Sequence, residues 1–218
     1  EISRTLLRNF ILAILISIMI ILFKPLIIQL TNTYFVSSIE TNELIETYIS
    51  VRVISIPAEL TIYILVGLFL GIQKTKISSF FIIILSILNI IFSSLFVLSF
   101  DQNVFGVALG TLIASYTTVI LFSIFTYRYI IIKFKIVPSL QRLIVPSKIY
   151  NLLIINFNIF IRTIFLTFAF LWITFLGSKL GEDYIAINAI LIQFILLASF
   201  FLDAYAFTIE GKVGYTLG

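Results

Sequence analysis

The sequence contains neither cysteine nor histidine. It therefore offers no disulfide, no thiolate nucleophile, no imidazole metal ligand and no histidine proton relay. Charged residues are also scarce, at 11% of the chain. Any proton or cation chemistry must depend on Asp, Glu, Tyr, Lys or neutral oxygen atoms. No nucleophile and base stand at a spacing typical of catalysis, so we expect neither an enzyme nor a metal centre.

Apolar side chains, in contrast, are abundant. Hydrophobic residues make up 61% of the chain and the mean hydropathy is +1.21, whereas soluble domains are about 45–50% apolar. The apolar runs approach the roughly twenty residues that a helix needs to cross a hydrocarbon core about 30 Å thick. Transmembrane strands are shorter and alternate in polarity. The sequence therefore predicts an all-α integral membrane protein.

Six apolar segments are predicted to span the membrane as a polytopic helix bundle. They cover residues 6–30, 51–72, 77–100, 104–132, 152–177 and 184–209. Basic residues flank these segments mainly on one side, and acidic residues dominate the other. By the positive-inside rule, the basic side and both ends of the chain are expected to be cytoplasmic. The basic residues form no continuous stripe, so nucleic acid is not an expected partner.

The longest link between predicted spans covers residues 128–151 and carries five cationic groups with Pro138 and Pro146. It is expected to be a cytoplasmic connector that touches anionic lipid, and it is also a candidate boundary between two helical bundles. The chain begins at Glu1 without a methionine and ends soon after an apolar segment. We therefore expect it to be an internal piece of a longer protein.

Glu59 is an ionisable residue inside the second predicted span. Such a residue costs about 2.5–3.5 kcal/mol at the centre of a bilayer, so it indicates a function or a specific partner. At about 100° per residue, Glu59 shares a helix face with Arg52 and Tyr63. Two interpretations stay open. Glu59 is either a carboxylate of a polar cavity that binds a proton or cation, or a structural partner of Arg52.

Small and polar residues also follow the third and fourth predicted spans. Asn89 and Ser93 stand one turn apart in the third span, and Gly106 and Gly110 have small-xxx-small spacing beside Thr111 in the fourth. The glycines predict close helix contact, and polar stripes most often hydrogen-bond one helix to another. Lining an aqueous pathway is the alternative use of Asn89, Ser93 and Thr111.

The last two predicted spans hold charged residues. Asn158 and Arg162 stand one turn apart in the fifth span, and one face of the sixth carries Asn188, Ser199, Asp203 and Glu210. The depths of Arg162 and Asp203 in the membrane differ by only about 5 Å. Since neither charge is tolerated alone in hydrocarbon, we predict that these two residues form an intramembrane ion pair.

Several stretches together resemble the DinF branch of the multidrug and toxic compound extrusion family, and they cover nearly the whole chain. They are RVISIPA at 52–58, GLFLGIQKT at 67–75, LNI at 88–90, GVALGT at 106–111, NIFIRT at 158–163, NAILIQ at 188–193 and FLDAYAFTIE at 201–210. No single stretch is highly specific, but their order and spacing carry the resemblance.

The resemblance implies a twelve-helix transporter with two six-helix lobes around a cleft. Residues 1–132 would then be the last four helices of the first lobe, 133–150 the cytoplasmic interlobe linker, and 151–218 the first two helices of the second lobe. The family's first-lobe cation site implies roles for Asn89 and Thr111, whereas Ser93 stands where an acidic residue is common. A polar face of the second lobe would comprise Asn158, Asn188, Gln193, Ser199 and Glu210.

The resemblance further implies a secondary antiporter in a bacterial inner membrane. It would exchange H⁺ or Na⁺ for drugs or other cationic or amphipathic compounds, without a cofactor and as a monomer in the lipid bilayer. Two alternatives stay open, namely a flippase for lipid-linked sugars from the same superfamily and a membrane scaffold without transport activity. Glu59 is a candidate substitute for the missing acidic residue of the cation site.

Overall fold

A computed structural model describes residues 2–35, 39–134, 146–179 and 182–217. Within these ranges the chain forms seven α-helices and one short π-helical segment and contains no β-strand, which confirms the all-α fold. The helices are α1 Ile2–Leu22, α2 Lys24–Phe35, α3 Ile39–Gly71, α4 Thr75–Ser94, α5 Asn103–Phe134, α6 Pro146–Ser178 and α7 Glu182–Leu217, with the π-helical segment at Leu95–Ser99.

Six of the described helical stretches are long and apolar enough to cross a membrane, which confirms the predicted number of spans. They are Arg4–Leu22, Asn42–Gly71, Thr75–Ser99, Asn103–Ile130, Asn156–Gly177 and Ile187–Ala206. Their surfaces are rich in large apolar side chains that no other part of the structure covers. An apolar exterior of this kind is expected where lipid rather than water is the solvent.

The first span is shorter than the apolar run from residue 6 to residue 30 predicts. The run is divided at Phe23, between α1 and α2. Pro25 causes this division, because proline has no N–H to donate to the carbonyl of Ile21 and its ring crowds the preceding turn. Helical hydrogen bonds continue on both sides of the kink, from Phe23 N to Met19 O at 2.9 Å and from Ile27 N to Phe23 O at 3.0 Å.

The chain divides into two compact units, which are called unit 1 (Glu1–Gln141) and unit 2 (Arg142–Gly218). In unit 1, α5 packs along both α3 and α4, and α1 packs on α3. Unit 2 is a hairpin in which α6 packs against α7. Much of the predicted linker, residues 133–150, lies outside the described residues. The assignment of the units to two transporter lobes stays a prediction.

An aromatic core joins α3, α4 and α5 in unit 1. The ring of Phe122 stacks on Phe81 with centroids 4.0 Å apart and on Phe69 at 5.5 Å. Phe125 and Tyr129 extend the cluster, with centroids 5.4 Å from Phe81 and 5.6 Å from Phe69 respectively. Such ring pairs contribute about 0.5–1.5 kcal/mol each beyond the burial of their area. The core therefore fixes how the three helices are arranged around the polar residues described next.

Candidate functional site

Three predicted site residues meet where α4 packs on α5. Asn89 Nδ2 donates to Thr111 Oγ1 at 3.2 Å, and Ser93 Oγ donates to Asn89 Oδ1 at 3.2 Å. Thr111 Oγ1 in turn donates to the carbonyl oxygen of Val107 at 3.0 Å. We call Asn89, Ser93 and Thr111 the neutral cluster. The structure brings these three side chains together, whereas their role as ion or substrate ligands stays a prediction.

Glycine makes this approach of the helices possible. A Cβ atom added to Gly110 would lie 2.5 Å from both the backbone nitrogen and the hydroxyl oxygen of Ser93. One turn earlier, a Cβ on Gly106 would lie 3.0 Å from the Cβ of Phe96, in the π-helical segment. The prediction that these glycines serve close helix contact is confirmed. Because α5 presents bare backbone here, the side chains of Asn89 and Thr111 can span the gap between the helices.

The neutral cluster has a defined chemical character. Its side chains supply one amide and two hydroxyl oxygens, and the Val107 carbonyl lies 3.5 Å from Ser93 Oγ. Oxygen atoms of this kind can replace part of the water shell of a hard cation, as backbone carbonyls do in sodium-coupled transporters. None of the three side chains can take up a proton near neutral pH. The cluster also lies directly before a π-helical segment, and such segments are frequent at functional sites.

A second polar group lies on α3 and contains both signs of charge. Arg52 Nη1 lies 2.5 Å from Glu59 Oε1 and donates to Ser55 Oγ at 2.9 Å. The Ser55 hydroxyl is fully buried and lies 2.8 Å from the same carboxylate oxygen. We call Arg52, Ser55 and Glu59 the charged network. The predicted partnership of Glu59 with Arg52 is therefore present, and a role in binding cations or substrate stays a prediction.

The backbone of α3 is supported from α5 where Pro57 interrupts its hydrogen bonding. Pro57 lies inside α3 and cannot donate to the carbonyl of Val53. The hydroxyl of Tyr116 on α5 donates to the next carbonyl, that of Ile54, at 3.0 Å. This bond joins the turn of α3 that contains Pro57 to α5, in the same stretch that carries the charged network. One turn beyond Glu59, the side chain of Tyr63 is 70% exposed.

The structure does not bring Arg162 and Asp203 together. Both side chains are exposed, and no ion pair joins them in the described part of unit 2. A polar contact between α6 and α7 lies nearer the turn, where Asn188 Nδ2 lies 3.5 Å from the carbonyl oxygen of Ile173 and Gly177 leaves room for the amide. Similar depth along two helices does not determine which way their side chains point.

The other residues of the predicted second-lobe face are dispersed. Asn158 and Gln193 are exposed, and the hydroxyl of Ser199 donates to the carbonyl of Ile195 in its own helix at 2.9 Å. The side chain of Glu210 lies outside the described residues. Apart from the contact made by Asn188, the described residues of this face make no hydrogen bond between the two helices. Their functional role stays a prediction.

Sequence reasoning missed three polar contacts. Ser55 was not expected in the charged network, although its spacing of three and four residues from Arg52 and Glu59 was a usable signal. Tyr116 was missed because its partner is a backbone carbonyl, which has no sequence signature. The buried hydroxyl of Ser78 on α4 donates to the carbonyl of Val66 on α3 at 3.1 Å, and pairings between helices of this kind cannot be read from one helix alone.

These features define a polytopic α-helical membrane protein whose spans carry polar groups at helix contacts, an arrangement typical of transporters. The chain is 31% identical over 216 residues, 99% of its length, to DNA damage-inducible protein F of Escherichia coli (strain K12). This similarity confirms the resemblance to the DinF branch of the multidrug and toxic compound extrusion family. The chain spans 47% of that relative's length. No family model and no solved structure matches it.

Proposed function

We propose that the chain is part of a cation-coupled antiporter that exports amphipathic or cationic compounds across a bacterial inner membrane. In this proposal the four spans of unit 1 belong to one transporter lobe and the two spans of unit 2 begin the other. Both ends of the chain face the cytoplasm. The coupling ion is H⁺ or Na⁺. The neutral cluster would supply oxygen ligands to Na⁺, whereas Glu59 is the candidate carboxylate to take up H⁺. The relationship to a DinF-branch protein supports a transporter rather than an enzyme.

The observation that carries the proposal is the hydrogen-bonded chain from Ser93 through Asn89 to Thr111. It joins two helices, α4 and α5, through side chains that can exchange their mutual bonds for bonds to an ion. An ion that binds between two helices favours the arrangement in which its ligands converge. Exchange follows when the ion and the exported compound stabilise different arrangements of one bistable bundle.

Efflux from proteoliposomes that contain the full-length protein tests this proposal. A fluorescent amphipathic compound is loaded, and a pH gradient or a sodium gradient is imposed separately. We expect one of the two gradients to accelerate efflux. With a flippase for lipid-linked sugars or with a scaffold, neither gradient would accelerate efflux of the fluorescent compound. That outcome would contradict the proposal.

Variants of the neutral cluster test its part in coupling. Ser93→Ala and Thr111→Val each remove one hydroxyl oxygen, and we expect a loss of about tenfold in apparent affinity for the coupling ion, equivalent to about 1.4 kcal/mol. The matched control is Ser86→Ala, because the hydroxyl of Ser86 bonds only to the carbonyl of Ile82 in its own helix, at 3.0 Å. If both cluster variants retain the ion dependence of the control, the cluster does not bind the coupling ion.

A further inference from the structure

Among the acidic side chains that the structure describes in unit 1, Glu59 of the charged network is the one that lies deep in a span. The acidic residues of this part of the chain are Glu1, Glu40, Glu43, Glu46, Glu59 and Asp101. Glu43 and Glu46 lie in the first turns of α3, and Asp101 lies between the π-helical segment and α5. Glu59 precedes the end of α3 at Gly71 by twelve residues, a rise of about 18 Å, which is near the middle of a bilayer.

We propose that Arg52 is a specificity-determining residue. Arg52 forms an ion pair with the carboxylate of Glu59 and neutralises its charge. This face of unit 1 therefore accepts amphipathic compounds of zero net charge in preference to organic cations. The inference rests on the proposed function and names the class of compound that the transporter takes. It assigns to Arg52 a role in substrate choice beyond that of a structural partner.

The first step of the argument is the charge balance. An organic cation that leaves water for a site of low dielectric constant needs a counter-charge. Glu59 is already in direct contact with Arg52, and the Ser55 hydroxyl lies 2.8 Å from the same carboxylate oxygen. A cation that binds at Glu59 must either share the carboxylate with Arg52 or displace Arg52 from it, and in both cases one positive charge is left without a counter-charge. A neutral or zwitterionic compound carries no such penalty.

The second step is accessibility. The side chains of Arg52 and Glu59 keep 29% and 26% of their surface exposed, whereas Ser55 beneath them is fully buried. Charged side chains in spanning helices almost always face a protein interior or a water-filled cavity rather than lipid. The exposed edge of the network therefore marks a face that water and solutes reach. Tyr63, one turn away, presents an aromatic ring against which the apolar part of a compound can pack.

Two probes of nearly identical size and opposite charge test the proposal, namely tetraphenylphosphonium and tetraphenylborate. Binding of each is measured by equilibrium dialysis against the full-length protein in one detergent. We expect the unsubstituted protein to bind both ions more weakly than it binds triphenylphosphine oxide, an uncharged amphipathic compound of similar shape. Arg52→Gln leaves Glu59 unpaired and should bind the cation about tenfold more tightly, whereas Glu59→Gln leaves Arg52 unpaired and should bind the anion about tenfold more tightly.

Two further variants are the controls. Arg52→Lys keeps the positive charge and should bind both probes as weakly as the unsubstituted protein. The double variant Arg52→Gln with Glu59→Gln carries neither charge and should lose both gains. The proposal is overturned if Arg52→Lys gains cation binding as Arg52→Gln does. It is also overturned if Arg52→Gln does not bind the cation more tightly and Glu59→Gln does not bind the anion more tightly. These outcomes are independent of gradient-driven efflux, whose absence would reject the proposed transport instead.

Discussion

At the scale of single residues, the positions of the polar side chains in unit 1 are determined by the size and spacing of neighbouring residues. Asn89 and Thr111 meet because Gly110 has no Cβ at the point where α5 crosses Ser93. Arg52 and Glu59 meet because a spacing of seven residues places them on the same side of one helix. In both groups the polar atoms bond to one another, so that their hydrogen-bonding capacity is met within the protein.

Gly110→Ala should destabilise the protein, because the new methyl group would overlap the backbone of Ser93. Overpacking of this kind typically costs about 1–3 kcal/mol. Gly67→Ala is the matched control, since a Cβ at Gly67 has no atom within 4 Å and alanine is favoured over glycine inside a helix by about 0.5–1 kcal/mol. The melting temperature in detergent should fall for Gly110→Ala and hold or rise for Gly67→Ala. Equal shifts would contradict the close approach of α4 and α5.

At the scale of helices, α5 organises unit 1 because it contacts both α3 and α4 along its length. Thr111 bonds to α4, Tyr116 bonds to the backbone of α3, and Phe122 stacks on rings from both helices. Neighbouring turns of α5 therefore supply Thr111 to the neutral cluster and Tyr116 to the α3 backbone beside the charged network. A movement of α5 would alter the surroundings of both groups together.

Tyr116→Phe should remove the bond to the Ile54 carbonyl and leave the rest of the contact intact. Hydrogen bonds between spanning helices are worth about 0.6 kcal/mol on average, so we expect a small but measurable fall in the midpoint of unfolding in detergent. Tyr127→Phe is the control, because Tyr127 lies on the same helix and is 65% exposed. An equal effect of the two substitutions would show that the hydroxyl of Tyr116 does not support α3 at Pro57.

The helices themselves could be predicted from the sequence, because apolar runs of membrane-spanning length leave the backbone no other way to satisfy its hydrogen bonds. Contacts within one helix could also be predicted, as Glu59 and Arg52 show. Contacts between helices depend on rotation and on which helices are neighbours, and neither can be read from periodicity. The pairing of Arg162 with Asp203 was argued from their similar depth and from the cost of an unpaired charge in hydrocarbon, and it is absent from the described residues. Asn89 and Thr111 were linked by the resemblance, and they meet in the structure.

At the scale of the whole molecule, the orientation of the spans decides which gradient the neutral cluster and the charged network meet. Lys74 lies between α3 and α4, Lys76 lies in the first turn of α4, and Lys179 lies between α6 and α7. If the positive-inside rule holds for this chain, Lys76 is cytoplasmic and Lys179 is external despite its charge. The assignment of inward-facing chain ends follows from the same rule.

The lack of cysteine in this sequence makes that orientation directly measurable. Single cysteines at Lys76→Cys and Lys179→Cys, both at exposed positions, are introduced into the full-length protein after any other cysteine has been replaced. A membrane-impermeant maleimide added to intact cells should label position 179 at once and position 76 only after permeabilisation. The reverse pattern would place the basic loops outside. It would also invert the direction of transport in the proposed antiporter, because the coupling ion would then reach the neutral cluster from the opposite face of the membrane.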